Sequence, residues 1–499
     1  TVNIAFLTLL SRIFGYIRDL LITFFFGAST STDAFYVAFR IPNLFRRLLA
    51  EGSLSSTLVP FIKDEILSGN MKNFSEFRSK IFTILMLVLT ILTIIFYYLS
   101  EPIIQAFAYG FDTESIKLAA DMLSIMSPFL LFISLSAFNM GLLNANNNYL
   151  PPAFSPVIFN VVVIFVLIFS YFYLKISIYS ISYAVLLGSL CQFIFLIPFV
   201  IKRNLFYGIT FNNLIDSKIS KFFIILGPQV LGLAIYNINI LINTQFASFM
   251  EKGSVTYLYL SERLLEFPLG IFAVSIATTS LTKFSEMSSQ GNLKHIQNYL
   301  NERLKFLFFL LIPCALVFIL WGYEICNLLY KRGEFTTFDS FNTYKALFAY
   351  SVGLVFVGGV RVLTQVFYSI KNTKIPVFLS GYNLLINIFF CYLLSIVFNL
   401  GFFGLALSSS LSALILFFSL ILNLKKKNIS VKIFSLLKYL IFILFLSSVI
   451  IFLIEFLANN FSFFIQNQFI VLVKIFIFII LYLLFAYVFK VKELDLIRS

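Results

Sequence analysis

Arg12, Arg18, Arg40, Arg46 and Arg47 all fall in the first two membrane-length stretches of this chain, within SRIFGYIRDLLITFFFGASTSTDAFYVAFRIPNLFRRLLAEG. An arginine at bilayer depth costs about 2.5–3.5 kcal/mol on insertion scales, so five of them cannot face lipid. They must line a wet cavity or meet anions there. The guanidinium fork matches phosphate oxygens in pairs, so a cluster of forks inside a membrane is suited to a phosphate or diphosphate. Asp19, Asp33 and Glu51 are the carboxylates of the same stretch, which leaves an excess of two positive charges.

The elements that must carry these residues follow from composition. Of 499 residues, 60% are hydrophobic and 12% charged, and 66 are phenylalanine. A soluble chain could not hide so much apolar surface. Apolar runs of roughly 20 residues recur throughout, which predicts an all-α polytopic membrane protein. Fourteen transmembrane helices are expected, near 2–26, 33–62, 81–100, 116–145, 152–174, 178–201, 222–249, 255–282, 303–322, 338–370, 375–396, 401–424, 433–457 and 468–489. The first segment carries Arg12, Arg18 and Asp19, which a cleaved leader's apolar region would not, so it is read as a span. An even count puts both termini on one side. With the termini cytoplasmic, 21 lysines and arginines fall in cytoplasmic loops, against Lys117, Lys175, Lys252, Lys331 and Arg332 on the other side. That imbalance sets the orientation. It also accounts for the net charge of +14 without any nucleic-acid partner.

The chain contains an internal duplication. Tyr36, Arg40, Pro42 and GSLSSTLVPF recur as Tyr259, Arg263, Pro268 and VSIATTSLTKF, and NANNNYLPPAFSPVIFN recurs as SIKNTKIPVFLSGYNLLIN, at offsets of about 222 and 225. Two six-helix lobes are therefore expected, 1–201 and 222–424, with helices over 433–490 outside the repeat. Six spans separate each motif from its copy, so the lobes share one orientation and relate by a pseudo-two-fold axis along the membrane normal. A central cavity between such halves is where a transported substrate is expected.

Helical spacing says which charges share a face. Arg12, Gly15 and Asp19 lie on one stripe of the first helix, with Arg18 about 120° away. Arg40 and Arg47 share a face of the second, which Pro42 is expected to kink. Glu262, Arg263 and Glu266 form a second intramembrane cluster, followed by Pro268, and Arg361 is a further candidate. Paired charges that fix helix packing are the competing reading, most of all for Arg47 with Glu51, an i,i+4 pair, and for Arg40. Gly15, Gly27, Pro42 and Pro268 are candidate bending points.

Other chemistries lack their residues. His295 is the single histidine, which excludes two-histidine metal sites and histidine-based triads. Cys191, Cys314, Cys326 and Cys391 have no metal-ligand spacing. No phosphate-binding GxxxxGK[ST] run is present, so ATP-driven pumping by this chain alone is not expected. No cofactor or resident metal is expected.

The stretches SRIFGYIRD, FFGAS, TDAFYVAFRIPNLFRRLLAEG, NTQFASFM, YLYLSERLLEFPLGIFAV and YSVGLVFVGGVRVL resemble the MurJ/MviN lipid II flippases. The likeness covers most of the chain and is weakest after about 425. It implies a fourteen-helix protein of the multidrug/oligosaccharidyl-lipid/polysaccharide exporter superfamily in the bacterial cytoplasmic membrane. It implies a transporter rather than an enzyme, moving the undecaprenyl-diphosphate-linked peptidoglycan precursor lipid II from the cytoplasmic to the periplasmic leaflet by alternating access. Arg12, Arg18, Arg46 and Arg263 match the family's substrate-binding arginines, and Asp19 and Asp33 match its acidic positions. Arg40, Arg47, Glu51, Glu262, Glu266 and Arg361 are then supporting charges. The last two helices would hold the lipid tail, although Glu455 and Lys474 interrupt them. The expected partners are lipid II and membrane lipids, and the expected state is a monomer. Some family members are thought to bind sodium through carboxylates. Here residues 340–454 hold neither Asp nor Glu, while Asn237, Asn239 and Asn243 occupy the seventh helix. A carboxylate-built cation site there is therefore doubtful, which leaves coupling to the membrane potential or to a monovalent cation elsewhere. Two rivals are an exporter of another polyprenyl-linked oligosaccharide or drug, and a non-transporting membrane scaffold.

Overall fold

The computed structural model describes residues 2–48, 57–62, 71–460, 469–489 and 491–494. Among them there is no strand. The helices are α1 Val2–Phe26, α2 Thr30–Leu48, α3 Met71–Tyr98, α4 Ser100–Phe107, α5 Thr113–Ala145, α6 Leu150–Tyr173, α7 Tyr179–Lys202, α8 Ser217–Ala247 and α9 Ser254–Pro268. A π-helical turn, Leu269–Ala273, joins α9 to α10 Val274–Ser289. There follow α11 Leu293–Leu320, α12 Gly322–Tyr330, α13 Thr337–Ser369, α14 Lys374–Phe390, α15 Gly401–Lys425, α16 Ile433–Asn460 and α17 Ile470–Val488. Helix coincides with the expected segments where they are described, residues 49–56 of the segment 33–62 lying outside the described residues, and eleven helices among the described residues are long and apolar enough to cross a membrane.

Polar residues start the helices. Asp112 caps α5 by accepting from Ser115 N at 2.8 Å, and Asp216 caps α8 by accepting from the N–H groups of Lys218 and Ile219 at 2.9 and 2.8 Å. Thr336 and Asp339 form a reciprocal capping box on α13. Each satisfies N–H groups that the first turn leaves without helical partners. His295 is accounted for in the same way: its backbone N–H donates to Asn292 Oδ1 at the start of α11.

Helix ends depart most from expectation on α3 and α11, which begin at Met71 and Leu293, ten residues before the expected 81 and 303. Apolarity marks where a helix meets lipid, not where its backbone begins. The added turns carry Arg78 and Lys80, expected in a loop but 7% and 3% exposed. Lys80 Nζ meets Glu76 Oε1 at 2.6 Å and Asp216 Oδ2 at 3.0 Å. The short helices α4 and α12, each one residue beyond the end of α3 or α11, are additional to the expected segments.

Two pairs of helices match in length and spacing. Met71–Tyr98 and Leu293–Leu320 are both 28 residues long and lie 222 apart, and Thr113–Ala145 and Thr337–Ser369 are both 33 residues long and lie 224 apart. By contacts the chain divides into two compact units, Thr1–Val255 and Thr256–Ser499. In the first, α5 is central, packing on α2, α3, α4 and α7, with α6 against α7, α1 against α6 and α8 against α2. In the second, α13 takes the same place, packing on α10, α11, α12 and α15, with α14 against α15. Glycine allows the close approach of α13: a Cβ on Gly353 would sit 2.6 Å from Ser410 Cα, and one on Gly359 2.4 Å from the Phe417 ring.

Helices α16 and α17 join the second unit through α11. The charges that interrupt them meet there. Lys474 Nζ lies 2.8 Å from Glu455 Oε1 and 3.2 Å from Glu324 Oε1, and the Trp321 indole N–H donates to Glu455. Tyr482 donates to the Phe309 carbonyl at 2.7 Å.

Candidate functional site

In the first unit Arg18, on α1, is 7% exposed. Its Nε and Nη2 both donate to Asp19 Oδ1, at 3.0 and 2.7 Å, and its Nη1 donates to Asn160 Oδ1 on α6 at 3.3 Å. The Phe39 and Phe159 rings flank the guanidinium, each 6.0 Å from its centre. Burial of the cation is thus offset by a carboxylate, an amide oxygen and two ring faces. Asn160 is itself held: its Nδ2 donates to the carbonyls of Ser11 at 3.3 Å and Pro156 at 3.1 Å. Sequence reasoning missed Asn160. Its signal was an amide in an apolar run one turn after a proline.

The stripe expected on α1 faces α6. Gly15 lies against Asn160, with 3.5 Å between the amide nitrogen and the place a Cβ would occupy, and Asp19 is 3% exposed. Arg12, on the same stripe, is exposed, and no described residue takes a hydrogen bond or ion pair from it. That leaves a cation on a polar face.

Helix α2 presents its charges differently. Arg40 is buried and donates through Nη1 to Thr244 Oγ1 on α8. Arg46, half-buried, donates through Nε to Asn43 Oδ1 at 2.6 Å. Arg47 is half-buried; Glu51 and Gly52 lie outside the described residues. Pro42 sits inside a helix that continues to Leu48. Asp33, 3% exposed in the first turn of α2, accepts from Gly253 N at 2.7 Å, so it holds a loop backbone as well as lying near the positive end of its helix. Together α1 and α2 carry five guanidiniums and the two carboxylates of Asp19 and Asp33.

In the second unit Arg263 is partly exposed on α9. Its Nε and Nη2 donate to Tyr259 Oη at 3.1 and 2.7 Å, its guanidinium lies 5.0 Å from that ring's centre, and its Nη1 meets Glu266 Oε2 at 3.2 Å. Glu262 is occupied elsewhere, accepting from Tyr350 at 3.0 Å. Pro268 directly precedes the π-helical turn, where its missing N–H lets the ladder change register. Arg361 on α13 is half-buried with no polar partner among the described residues. No group of three His, Cys, Asp or Glu side chains that could hold a metal occurs among the described residues.

Guanidinium forks held in this way can meet a multiply charged anion. The family described as "Lipid II flippase MurJ" matches residues 22–480, a range that takes in Asp33, Arg40, Arg46, Arg47 and Arg263 and begins just after Arg18 and Asp19. A protein of Buchnera aphidicola subsp. Schizaphis graminum named "Probable lipid II flippase MurJ" is 35% identical over 437 residues, 86% of this chain and 83% of its own length. One of Burkholderia cenocepacia named "Lipid II flippase MurJ" is 31% identical, covering 85% of this chain and 82% of its own length. A solved structure titled "Lipid II flippase MurJ, inward closed conformation" superposes with a TM-score of 0.84 at 30% identity, over 98% of this chain and 99% of that one. A multidrug resistance MATE family transporter in an inward-facing conformation superposes with a TM-score of 0.72 at 13% identity, which shows a shared fold.

Proposed function

This chain belongs to the lipid II flippase MurJ family, and from that premise we infer that it is a lipid II flippase, an integral inner-membrane transporter and not an enzyme. The observation that carries the reading beyond the family name is the guanidinium excess of the first unit, held in place by residues far apart in sequence. In the proposal Arg12, Arg18 and Arg46 hold the substrate diphosphate, and Arg263 contributes a further guanidinium from the second unit. Asp19 and Asp33 orient this set, Asp19 through Arg18 and Asp33 through the backbone at Gly253. Arg40, Arg47, Glu51, Glu262, Glu266 and Arg361 act as supporting charges. Hydrogen bonds fix Arg18 before any ligand arrives, which lowers the entropy cost of capture.

The proposal includes fourteen spans, six-helix lobes over 1–201 and 222–424, and a lipid-tail groove formed by α16 and α17. The repeated helix lengths support the lobes. The termini are cytoplasmic by the lysine and arginine count. The chain works as a monomer by alternating access, carrying lipid II to the outer leaflet. Membrane potential acts on the anionic substrate itself, at about 2.3 kcal/mol per charge per 100 mV.

Arg12 gives the cleanest test, because it is exposed and removing it orphans no described partner. Labelled lipid II is followed across reconstituted vesicles with and without an imposed potential. Arg12→Ala is expected to melt like the parent and to lose most of its lipid II movement. Undiminished movement would remove Arg12 from the site, and the same result for Arg46→Ala would end the diphosphate reading.

A further inference from the structure

A cavity of about 530 Å³ opens between α14 and α15, far along the chain from the arginine cluster. Leu379 and Leu422 form apolar walls, and Tyr382, Ser419, Lys425 and Lys426 bring polar atoms to it. Asn423 also lines it but spends its Nδ2 on its own helix, donating to the Ser419 carbonyl at 2.9 Å.

Three observations point to an anionic occupant. The first is charge. Residues 340–454 contain nine lysines and arginines and no carboxylate, so nothing on α14 or α15 neutralises Lys425 and Lys426. Both lysines are exposed, and neither has an ion-pair partner among the described residues. The second is Ser419. Serines in apolar helices normally turn back onto a carbonyl. Ser408, Ser409 and Ser412 of α15 do so, and Ser410 donates to the Ala349 carbonyl of α13. No described residue accepts from the Ser419 hydroxyl, which opens into the cavity. The third is the surroundings. Phe378, Leu385, Phe389 and Leu422 are 75%, 62%, 59% and 59% exposed on these two helices, an apolar surface suited to acyl chains. Tyr382 and the lysines mark the end of that surface, the depth at which tyrosine and lysine side chains meet head groups.

We propose that this cavity is a binding site for an anionic phospholipid. Its phosphate would be held by Lys425, Lys426 and the Ser419 hydroxyl, and an acyl chain would lie along Leu379 and Leu422. Basic pockets between membrane helices recognise acidic lipid head groups by the same combination of cations and apolar walls. On the orientation proposed above, the lipid comes from the cytoplasmic leaflet. The site is separate from the diphosphate arginines, so occupancy is measured without reference to transport.

The test is native mass spectrometry of the full chain released from vesicles of phosphatidylglycerol and phosphatidylcholine in equal amounts. The parent is expected to retain phosphatidylglycerol over phosphatidylcholine. Lys425→Gln with Lys426→Gln should weaken that retention by roughly 30-fold, the loss of two lysine attractions at a membrane surface. Lys202→Gln with Arg203→Gln removes equal charge elsewhere and should leave retention unchanged. Ser419→Trp keeps both lysines but fills the cavity, and should also lose the lipid. Equal losses in both charge variants would reduce the effect to general surface charge and overturn the site. Retention by Ser419→Trp would do the same. Displacement of the lipid by millimolar inorganic phosphate would mean that a free anion is the ligand and would overturn the lipid assignment.

Discussion

Replacing Arg18 with alanine strikes two functions at once, and the structure says how to separate them. Arg18 and Asp19 side chains are 8% and 4% exposed, so solvent screens their ion pair little. Arg18→Ala removes a guanidinium from beside the buried Asp19 carboxylate and removes the donor to Asn160. Breaking such a pair from one side costs about 3–5 kcal/mol, mostly from the orphaned charge. That is comparable to much of a protein's net stability, so failed transport by Arg18→Ala alone would not identify a substrate contact. Adding Asp19→Asn removes the orphaned charge and keeps a side chain of the same shape. The double variant should recover all but about 1–2 kcal/mol, the remainder being the lost bond to Asn160 and the space left by the arginine. The assay is a double-mutant cycle on thermal unfolding in detergent, run beside lipid II translocation in vesicles. The expected outcome is a double variant close to the parent in stability and inactive in translocation. If the double variant translocates normally, Arg18 only fastens α1 to α6. If Arg18→Ala alone melts like the parent, the energetic account of the pair is wrong.

The cluster around Lys474 carries its own reporter, because Trp321 is the chain's single tryptophan and donates to Glu455. Glu455→Leu should shift Trp321 emission and lower stability by about 1–2 kcal/mol, discounted because Glu455 and Glu324 are more than a third exposed; unchanged emission would refute the contact. Gly359→Ala, which sets a methyl against the Phe417 ring, should cost about 1–3 kcal/mol in a melting experiment, whereas Gly381→Ala enters open space and should cost nothing. Asp216 responds to pH. Burial works against its charged form, but the N–H of Ile219, the Lys80 ammonium and the N–H of Lys218 outweigh it and hold the carboxyl below its usual value. Its folded value is depressed, so the stability it lends α8 is full above the ordinary aspartate range of about 3.9 and is lost as pH falls through the lower folded value. Amide exchange at Lys218 and Ile219 should stay protected at pH 5 and open at lower pH, and Asp216→Asn should flatten that dependence.

Much of this protein is local information. Each membrane helix must satisfy its backbone within itself and meet lipid with apolar side chains, so apolar segments marked where helices form, and eleven helices among the described residues are long and apolar enough to cross a membrane. The arginines of the first two segments stood out because an arginine's cost in a membrane depends on depth. Which partner stabilises a buried charge depends on which helix faces meet, and no local pattern encodes that. Arg18 finds Asn160 from 142 positions away, Arg40 finds Thr244 from 204, and Asp33 finds Gly253 from 220. Lys80 reads as a loop cation until α3 is seen to start ten residues earlier and to bury it against Asp216. Glu455 and Lys474 read as flaws in a lipid-facing pair until they meet each other and Glu324. The residue types, the segments and the excess of positive charge follow from sequence alone. Tertiary packing decides which of those charges are spent on holding helices together, as Arg18 and Arg40 are, and which, such as Arg12, are left exposed.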